Sequence, residues 1–412
     1  MIRATRARSE IGSSTSFTER DGADIEVARE DAALGALVHP LVRAELAELL
    51  RLMNSYYSNR IEGQGTRPRD IERAMGGSLS PEPTRRALQL LARAHVEVQR
   101  RTDARLVQEP DLPICTAAFI CDVHRAIYAE LPDDMRRIED APGGPALMPP
   151  GELRTWEVTV GGHLAPASGA LDAFLARFAQ VYEPHRLDPV QRLVAATASH
   201  HRLAWIHPFA DGNGRVARLF TQAYFTKLGL GAVGLWAISR GFARKRERYY
   251  AALAEADAPR GGDLDGRGNL SERGLAELCM SFLRTALDQI RFMRSLLALD
   301  GLKDRIVGWA ELRVARRELR PQAAHVLTDL VAHGQLERGA IARVSGMPER
   351  TARLLIGQLL DDGVVKSSSP KGPLRIAFPV KVVGAWLPGL FPDGADTDED
   401  DAPAPMRETR RR

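Results

Sequence analysis

One segment of twelve residues constrains this chain more than any other: His207-Pro-Phe-Ala-Asp-Gly-Asn-Gly-Arg-Val-Ala-Arg218. The apolar run 203–206 before it predicts the end of a buried helix, which the proline of the segment then breaks. Gly212 and Gly214 permit a tight turn and let main-chain N–H groups approach a ligand closely. A second helix is expected to begin near Gly214 or Arg215, so that its unpaired N–H groups and its dipole form a site for an anion.

The side chains of the same segment suit a phosphorylated ligand. His207, with an ordinary pKa of about 6.5, can accept a proton near neutral pH. Arg215 and Arg218 are three positions apart, so they share one helical face and can reach phosphate oxygens. Asp211 is an oxygen ligand of the kind that Mg²⁺ prefers, and Asn213 can donate an amide hydrogen bond into the same place. The segment therefore predicts a phosphate site with an adjacent base.

Composition narrows the class of protein. The 412 residues predict about two or three domains. The net charge of +4 is too slight to produce the field of a strongly basic nucleic-acid-binding protein. Cys115, Cys121 and Cys279 show neither zinc spacing nor a disulfide framework, which predicts a cytoplasmic protein. Since no apolar run reaches the roughly 18 residues of a membrane helix, we expect no membrane partner.

Changes in composition and periodicity divide the chain. The predicted segments are a disordered N-terminus (1–25), an N-terminal helical region (26–110), a helical catalytic core (111–300), a C-terminal domain (301–385) and a disordered tail (386–412). Within the core, the alternating run 156–160 and the glycine pair after it predict a small β-hairpin.

The C-terminal domain has the order of a winged helix-turn-helix. Helical periodicity covers 323–332, 338–344 and 349–360, and two β-like runs then flank a predicted wing at 367–373. Candidate DNA contacts are basic or polar residues of the third helix and the wing: Arg350, Thr351, Arg353 and Lys371. Winged helices often bind proteins instead, so DNA and protein both remain open as partners.

The pattern H-x-F-x-D-G-N-G-R-x-x-R at 207–218 resembles that of the Fic family, the protein adenylyltransferases and their relatives. At about 5% usage of each residue type, a random match in such a chain has a probability on the order of 10⁻⁸. The resemblance extends over residues 30–300. It implies a mainly α fold, in which a helical Fic-type core carries a small β-hairpin flap and is followed by the winged helix domain.

The resemblance also implies a reaction, the transfer of AMP from ATP to a Ser, Thr or Tyr hydroxyl of a target protein. His207 would remove the hydroxyl proton, and Mg²⁺ on Asp211 would bridge the α- and β-phosphates. The backbone of 212–215 and the Asn213 amide would hold the phosphates, while the two arginines would neutralise the departing pyrophosphate.

Two further regions match ligand-contacting positions of the family. The first is similar to the flap, which clamps the target by β-pairing; its candidate contacts are Val160, Gly161, Gly162 and His163. The second contains Tyr249 and Tyr250, which lie where relatives place nucleotide-contacting side chains, as do Ser239 and Arg240, with Asp257 as a further candidate. A tyrosine pair on a helix suits the core equally well, so both interpretations remain open.

A second motif predicts inhibition. Ser58-Asn-Arg-Ile-Glu62-Gly63 matches the inhibitory motif S-x-x-x-E-G of the family. Ser58 and Glu62 are four positions apart and share one helical face. A carboxylate there can pair with Arg218 and take the place of the γ-phosphate, although an ordinary surface glutamate is the alternative.

Other activities remain open at this stage. Relatives with the same loop remove AMP, transfer phosphocholine from a CDP ester, or move the γ-phosphate of ATP. A different class of protein is a DNA-binding regulator led by the winged helix domain. A homodimer also remains open.

Overall fold

Helices dominate the computed structural model, which describes residues 22–230, 234–262, 265–266, 268–392 and 394–395. The first group of helices is α1 (Ala23–Ala36), α2 (Pro40–Ile61), α3 (Pro68–Met75), α4 (Pro83–Gln108) and α5 (Ala117–Tyr128). The central group is α6 (Leu171–Tyr182), α7 (Pro189–Ile206), α8 (Asn213–Lys227), α9 (Ile238–Arg244), α10 (Arg246–Ala256) and α11 (Glu272–Leu297). The last group is α12 (Leu299–Ala315), α13 (Ala323–His333), α14 (Arg338–Ser345), α15 (Glu349–Asp361) and α16 (Val380–Trp386). The mainly α fold that the sequence predicts is therefore confirmed.

The described strands form short antiparallel hairpins. They pair β1 (Arg137–Ile138) with β2 (Ala146–Leu147), β3 (Thr159–Val160) with β4 (His163–Leu164), and β5 (Val365–Lys366) with β6 (Arg375–Ile376). The β3–β4 hairpin lies where the sequence predicted one, although its strands are shorter than the run 156–160. The glycine pair forms its turn, and Gly161 has a φ of 61°.

Helix starts follow from local sequence. Pro40 and Pro189 stand at the first turns of α2 and α7, where the missing N–H costs nothing. The Asp188 side chain caps α7 by accepting a hydrogen bond from the backbone N–H of Gln191, at 2.9 Å. These signals lie within a few residues of each other, so the start of each helix is encoded locally.

Helix α8 is at the centre of the core. It packs against α2, α4, α5 and α7, and its aromatic side chains Phe220, Tyr224 and Phe225 are fully buried. Because α8 is enclosed by other helices, its first turn is held in place. The second half of the segment His207–Arg218 forms this first turn of α8.

Both predicted disordered ends require correction where the structure describes them. Residues 1–21 lie outside the described residues, but Ala23 begins α1 and is buried. At the other end, Trp386, Leu387 and Leu390 are completely buried, although they fall in the predicted tail 386–412. Trp386 packs edge-on against Trp309 at 5.3 Å, and removing such large apolar side chains from water stabilises the fold. Residues 393 and 396–412 lie outside the described part of the chain.

The C-terminal elements agree with the predicted order. Three helices, α13 to α15, are followed by the β5–β6 hairpin, and Leu336 forms a β-bridge with Leu374. Gly334 and Gly346 end α13 and α14 with positive φ angles, as glycine can at a helix end. Membership of the winged helix class stays a prediction. None of the described helices is both long enough and apolar enough to span a bilayer.

Candidate active site

The site is built around the turn between α7 and α8. His207 follows the last residue of α7 and has φ 50° and ψ 60°, a left-handed conformation that is strained for a side chain of this size. Its N–H donates to the Leu203 carbonyl at 3.1 Å and so completes the end of α7. Gly212, with φ 80°, leads into Asn213, the first residue of α8. The helix therefore begins one residue before the predicted Gly214.

The two ring nitrogens of His207 have different surroundings. Its Nδ1 lies 3.3 Å from the Ala204 carbonyl oxygen, which can only accept a hydrogen bond. Nδ1 therefore carries the proton, and Nε2 keeps its lone pair. Burial lowers the pKa of His207 to about 4, with a smaller opposing effect from the Ala204 carbonyl. The ring is therefore neutral at neutral pH.

His207 opens into a cavity of about 650 Å³, a size typical of small-molecule sites. The predicted site residues that line it are Glu62, Val160, Gly161, Gly162, His163, His207, Asn213, Gly214, Arg218, Tyr249, Tyr250 and Asp257. The lining does not include five other residues predicted to belong to the site: Ser58, Gly63, Asp211, Gly212 and Arg215. The structure therefore brings segments near residues 62, 160, 207 and 250 to one cavity.

A carboxylate occupies the start of α8. Glu62 Oε1 lies 2.6 Å from Arg218 Nη2, and a Cβ added to Gly214 would lie only 2.2 Å from the same Glu62 oxygen. Arg218 is buried and also donates from Nε to Ser58 Oγ at 2.9 Å and from Nη2 to the Ser58 carbonyl at 3.0 Å. Glu62 thus lies where the sequence predicted a bound anion, at a helix N-terminus beside an arginine.

The charge of Glu62 is stabilised there. Burial acts to raise the pKa of Glu62, but the positive charges of Arg218 and Arg215 outweigh it, so the pKa lies below its ordinary value. The side chain of Glu62 is still 29% exposed, whereas that of Arg218 is 1% exposed. The carboxylate is therefore the partner that can leave this pair for solvent.

The side chain of Arg215 is engaged by other residues of the protein. Its guanidinium is buried and donates from Nε to Asn59 Oδ1 and from Nη1 to the Tyr128 hydroxyl, both at 2.9 Å, and from Nη2 to Gln64. All of these partners lie on or next to α2 and α5. Arg215 thereby connects α8 to the end of α2, and its contact with pyrophosphate stays a prediction.

The side chain of Asn213 closes the turn. Its Oδ1 accepts from the Phe209 N–H at 2.9 Å, and its Nδ2 donates to the Phe209 carbonyl at 2.8 Å. The sequence predicted an amide donated to phosphate, whereas the structure uses this amide to satisfy buried backbone groups of the turn. Asn213 therefore determines the shape of the turn from within.

His124 and Arg154 brace the turn from outside, and the sequence interpretation assigned neither of them this role. His124 accepts from the Gly151 N–H at 2.7 Å and lies 3.2 Å from the Asp211 carbonyl, while its ring stacks on Phe209 at 3.9 Å. Burial lowers the pKa of His124 to about 4. Arg154 donates from Nε to the His207 carbonyl at 2.8 Å. Both residues lie more than fifty positions before the turn, and the sequence around them gives no indication that they contact it.

Asp211 lies at the exposed tip of the turn. No group of three or more His, Cys, Asp or Glu side chains suited to a metal ion occurs among the described residues. Mg²⁺ usually needs only one or two carboxylates, because phosphate oxygens and waters complete its shell. A single exposed carboxylate beside the N-terminus of α8 therefore fits this ion.

The β3–β4 hairpin and helix α10 form the other walls of the cavity. His163 Nε2 donates to the Trp205 carbonyl at 2.8 Å, which fixes the hairpin beside α7. Tyr249 is buried and hydrogen-bonds to His200 at 2.8 Å, so it belongs to the core and to the cavity wall at once. The Asp257 carboxylate accepts from His201 Nε2 at 2.9 Å. Arg240, in contrast, lies away from the cavity and contacts the carbonyl of Gly389.

A second cavity, of about 720 Å³, lies between α1, α7 and the end of α8. Its lining includes Asp24, Arg192 and Lys227 but none of the predicted site residues. Volume alone therefore does not identify the site; the convergence of chemical groups does.

Known proteins match the region that contains this site. Residues 114–225 match the model of a family described as the Fic/DOC family. A segment of 127 residues, 31% of this chain, is 30% identical to "Protein adenylyltransferase Fic" of Drosophila erecta and of Drosophila melanogaster. A segment of 107 residues, 26% of this chain, is 32% identical to the protein of the same name in Culex quinquefasciatus. These segments cover 22% and 20% of the relatives, so the chain spans about a fifth of the length of the curated relatives it matches.

Solved structures show the same fold. A Fic family protein from Desulfovibrio desulfuricans G20 superposes with a TM-score of 0.50 at 17% identity, covering 86% of this chain and 96% of that one. A Fic domain containing signaling protein from Bacteroides thetaiotaomicron VPI-5482 gives a TM-score of 0.51 at 19% identity, covering 66% of this chain and 96% of the other. The helical body around the α7–α8 turn therefore has the fold of these Fic proteins, and residues 114–225 within it match the Fic/DOC family model.

Proposed function

We propose that this protein is an adenylyltransferase that moves AMP from ATP to a Ser, Thr or Tyr hydroxyl of a target protein. The observation that carries the proposal is a convergence within one cavity. A neutral imidazole, the N-terminus of α8 and the buried guanidinium of Arg218 all face a space of about 650 Å³. The names of the curated relatives support the same reaction.

In the proposed mechanism, Nε2 of His207 accepts the proton of the target hydroxyl. The hydroxyl oxygen then forms a bond to the α-phosphorus of ATP, the bond from that phosphorus to the bridging oxygen breaks, and pyrophosphate leaves with the electron pair. Backbone N–H groups at the start of α8 and the guanidinium of Arg218 stabilise the charge on the phosphates. Mg²⁺, when bound, supplies further positive charge, and Asp211 is the carboxylate that would hold it.

The β3–β4 hairpin is the proposed binding site for the target. Its strands are short, its turn lines the cavity, and the side chains of Val160 and Leu164 are exposed. An extended peptide that pairs with such a strand presents alternate side chains to the cavity, and so brings a hydroxyl towards His207.

Glu62 is the proposed inhibitor of this reaction. Its carboxylate pairs with Arg218 and lies against Gly214, so it competes with a phosphate for the only guanidinium among the described residues that lines this cavity. Once Glu62 is removed, Arg218 and the first N–H groups of α8 become available to ATP.

Intact-mass analysis after incubation with ATP and Mg²⁺ tests the proposal. We expect Glu62→Gly to gain adenylyl groups on itself faster than the unmodified chain, and Glu62→Gly with His207→Ala to gain none. Glu109→Gly is a matched control, since Glu109 also lies at a helix end but forms its ion pair with Arg105, one turn away on the same helix. Equal labelling of Glu62→Gly and the unmodified chain would contradict the inhibitory role. If neither is labelled and no added target is labelled, adenylyl transfer itself is wrong.

One observation favours a second activity at the same site. Because Glu62 and His207 line the same cavity, the carboxylate can also orient a water towards a phosphate ester. The chain would then remove AMP from a modified target. Release of free AMP from such a target, lost in Glu62→Gly, would support removal over transfer.

For residues 301–385 we propose a winged helix domain that binds DNA. Arg350 and Arg353 are exposed on α15, and Lys371 is exposed in the β5–β6 turn, while Thr351 is half-buried. Arg353 is already paired with Glu349 at 3.3 Å, and the negative charge of Glu349 partly offsets the attraction of Arg353 for phosphate. A gel-shift salt titration of the full chain should show affinity that falls steeply with salt and is reduced in Arg350→Ala. Unchanged binding in that variant would argue against this surface.

A further inference from the structure

From the contacts along α2 we infer that residues 299–391, called here the C-terminal unit, clamp this helix and so determine whether Glu62 stays in the site. The clamp would make adenylyl transfer respond to whatever displaces the C-terminal unit. The inference rests on the proposed function, because it concerns the same glutamate.

The C-terminal unit touches α2 at its capping residue, in its first third and near its end. At the start, Gly334 packs so closely on the capping residue His39 that an added Cβ would lie 2.1 Å from its Nδ1. Further along, Lys366 of the β5–β6 hairpin forms an ion pair with the nearly buried Glu45. Near the end, the Tyr57 hydroxyl donates to the Leu390 carbonyl at 3.0 Å. The unit therefore contacts the helix near both of its ends.

The contact near the end of α2 is directly before the inhibitory motif. Phe391 packs edge-on against Tyr56 at 5.3 Å and stacks on Tyr57 with ring centroids 6.4 Å apart. Tyr57 is followed by Ser58, which holds Arg218, and one turn later by Glu62. A shift of this aromatic cluster therefore moves the side chains that hold the Glu62–Arg218 pair.

Arg240 anchors the segment that carries this cluster. Its buried guanidinium lies 3.6 Å from the centroid of the Phe292 ring and donates to the Gly389 carbonyl at 2.6 Å and to the Leu390 carbonyl at 3.4 Å. Gln289 accepts its third hydrogen bond, at 2.9 Å. Because these carbonyls solvate a buried charge, removing the segment would leave Arg240 poorly compensated. The Leu390 carbonyl joins Arg240 of α9 to Tyr57 of α2.

The C-terminal unit also holds the chain beyond Glu62. Glu72 on α3 accepts a hydrogen bond at 2.8 Å from the backbone N–H of Val380, the first residue of α16. A carboxylate at a helix N-terminus is favoured by the helix dipole. The unit thus fixes the chain on both sides of Glu62, through Tyr57 before it and Glu72 after it.

The test measures self-adenylylation of full-length variants in two backgrounds, with Glu62 present and with Glu62→Gly. Phe391→Ala removes the aromatic contact. Gly389→Ala instead strains the backbone of the segment, because Gly389 has a φ of 74°. The added Cβ itself would make only ordinary contact with Phe292. With Glu62 present, we expect each variant to raise the rate roughly fivefold or more, as allosteric couplings usually do. In Glu62→Gly we expect no further increase, since both changes act on one step.

Tyr57→Phe and Tyr224→Phe are a matched pair of controls. Each removes one buried hydroxyl that donates to a backbone carbonyl, Tyr57 to Leu390 and Tyr224 to Tyr182 at 2.6 Å. Only the first hydrogen bond joins α2 to the C-terminal unit, so only Tyr57→Phe should raise the rate. The inference would be overturned if Tyr57→Phe and Tyr224→Phe changed the rate equally, or if Phe391→Ala changed it equally with Glu62 present and in Glu62→Gly. Either result would mean that the interface affects only the general stability of the protein.

Hydrogen exchange separates this inference from the proposed reaction. Amides of residues 56–63 should exchange faster in Phe391→Ala than in the unmodified chain at a temperature where both are folded. This readout needs no activity, so unchanged exchange rejects the clamp even if no adenylyl transfer occurs. If Glu62→Gly is inactive while exchange is faster, the clamp stands and the proposed function fails.

Discussion

The two segments that meet in the cavity are held in different ways. The α7–α8 turn is braced on several sides, by Asn213 from within and by His124 and Arg154 from outside. Glu62 enters from the end of α2, and its carboxylate is held chiefly by Arg218. The proposed catalytic segment is therefore held by many more contacts than the carboxylate proposed to inhibit it. This difference agrees with the proposed function, because the proposed chemistry requires fixed geometry and the proposed inhibition requires a contact that can break.

The largest effect should come from removing the base in the rigid segment. His207→Ala in the Glu62→Gly background should lower the rate of adenylyl transfer by about 10²–10⁴-fold, the usual contribution of general base catalysis. Initial rates with labelled ATP measure this. ATP binding should persist, since the α8 N-terminus and Arg218 are untouched, and loss of binding would indicate that the turn has collapsed.

Breaking the internal brace should have the next largest effect. Asn213→Ala leaves the buried N–H and carbonyl of Phe209 without their side-chain partner, which costs about 1–3 kcal/mol per unsatisfied group. We expect a lower free energy of unfolding in urea and slower transfer in the Glu62→Gly background. If stability is unchanged, the turn is not held as the hydrogen bonds indicate.

A smaller effect should follow from weakening the inhibitory contact without removing it. Glu62→Gln keeps a hydrogen bond acceptor for the charged Arg218 guanidinium but loses the negative charge, so the attraction between two opposite charges is lost while a hydrogen bond remains. Self-adenylylation should rise above that of the unmodified chain but stay below that of Glu62→Gly. A glutamine variant as active as the glycine variant would show that charge is the whole of the inhibition.

The smallest effect concerns pH. The pKa of His207 is lowered to about 4, so this histidine binds its proton in the unfolded chain at about pH 6.5 but in the folded protein only near pH 4. Its contribution to stability is therefore present above pH 6.5 and is lost as the pH falls towards 4. His207→Gln should reduce the slope of unfolding free energy against pH in this window by up to about 1.4 kcal/mol per unit. An unchanged slope would mean that the imidazole is not buried as described.

Buried histidines elsewhere provide the reference for that slope. Burial lowers the pKa of His95 and of His200 to about 3, and these rings remain in the His207 variant. The total loss of stability in acid should therefore remain large, and only the share of His207 should disappear. This difference distinguishes one titrating group from a general change in the fold.

Much of the fold and part of the site could be predicted because their signals are local. The prolines and capping residues of α2 and α7 lie within a few positions of the helix starts, and the glycines of the α7–α8 turn lie beside the helix they introduce. Contacts between distant segments could not be predicted in this way. The same i, i+3 spacing placed Arg215 and Arg218 on one face, yet Arg215 is engaged by Asn59 and Tyr128. Composition likewise gave no indication that Leu390 would be buried against α2.

The sequence by itself determined the turn 207–218 and the two motifs on which the proposed base and the proposed inhibitory glutamate rest, since each motif consists of residues a few positions apart. The pairing of Glu62 with Arg218 was also predicted from the sequence, but only the tertiary structure decided that Arg215 is engaged by Asn59, Tyr128 and Gln64 instead. It also decided that residues 389–391 lie against the helix that carries Glu62. The physical reason is that these contacts join distant segments of the chain, and the packing of whole helices, which no local pattern records, selects among the possible partners.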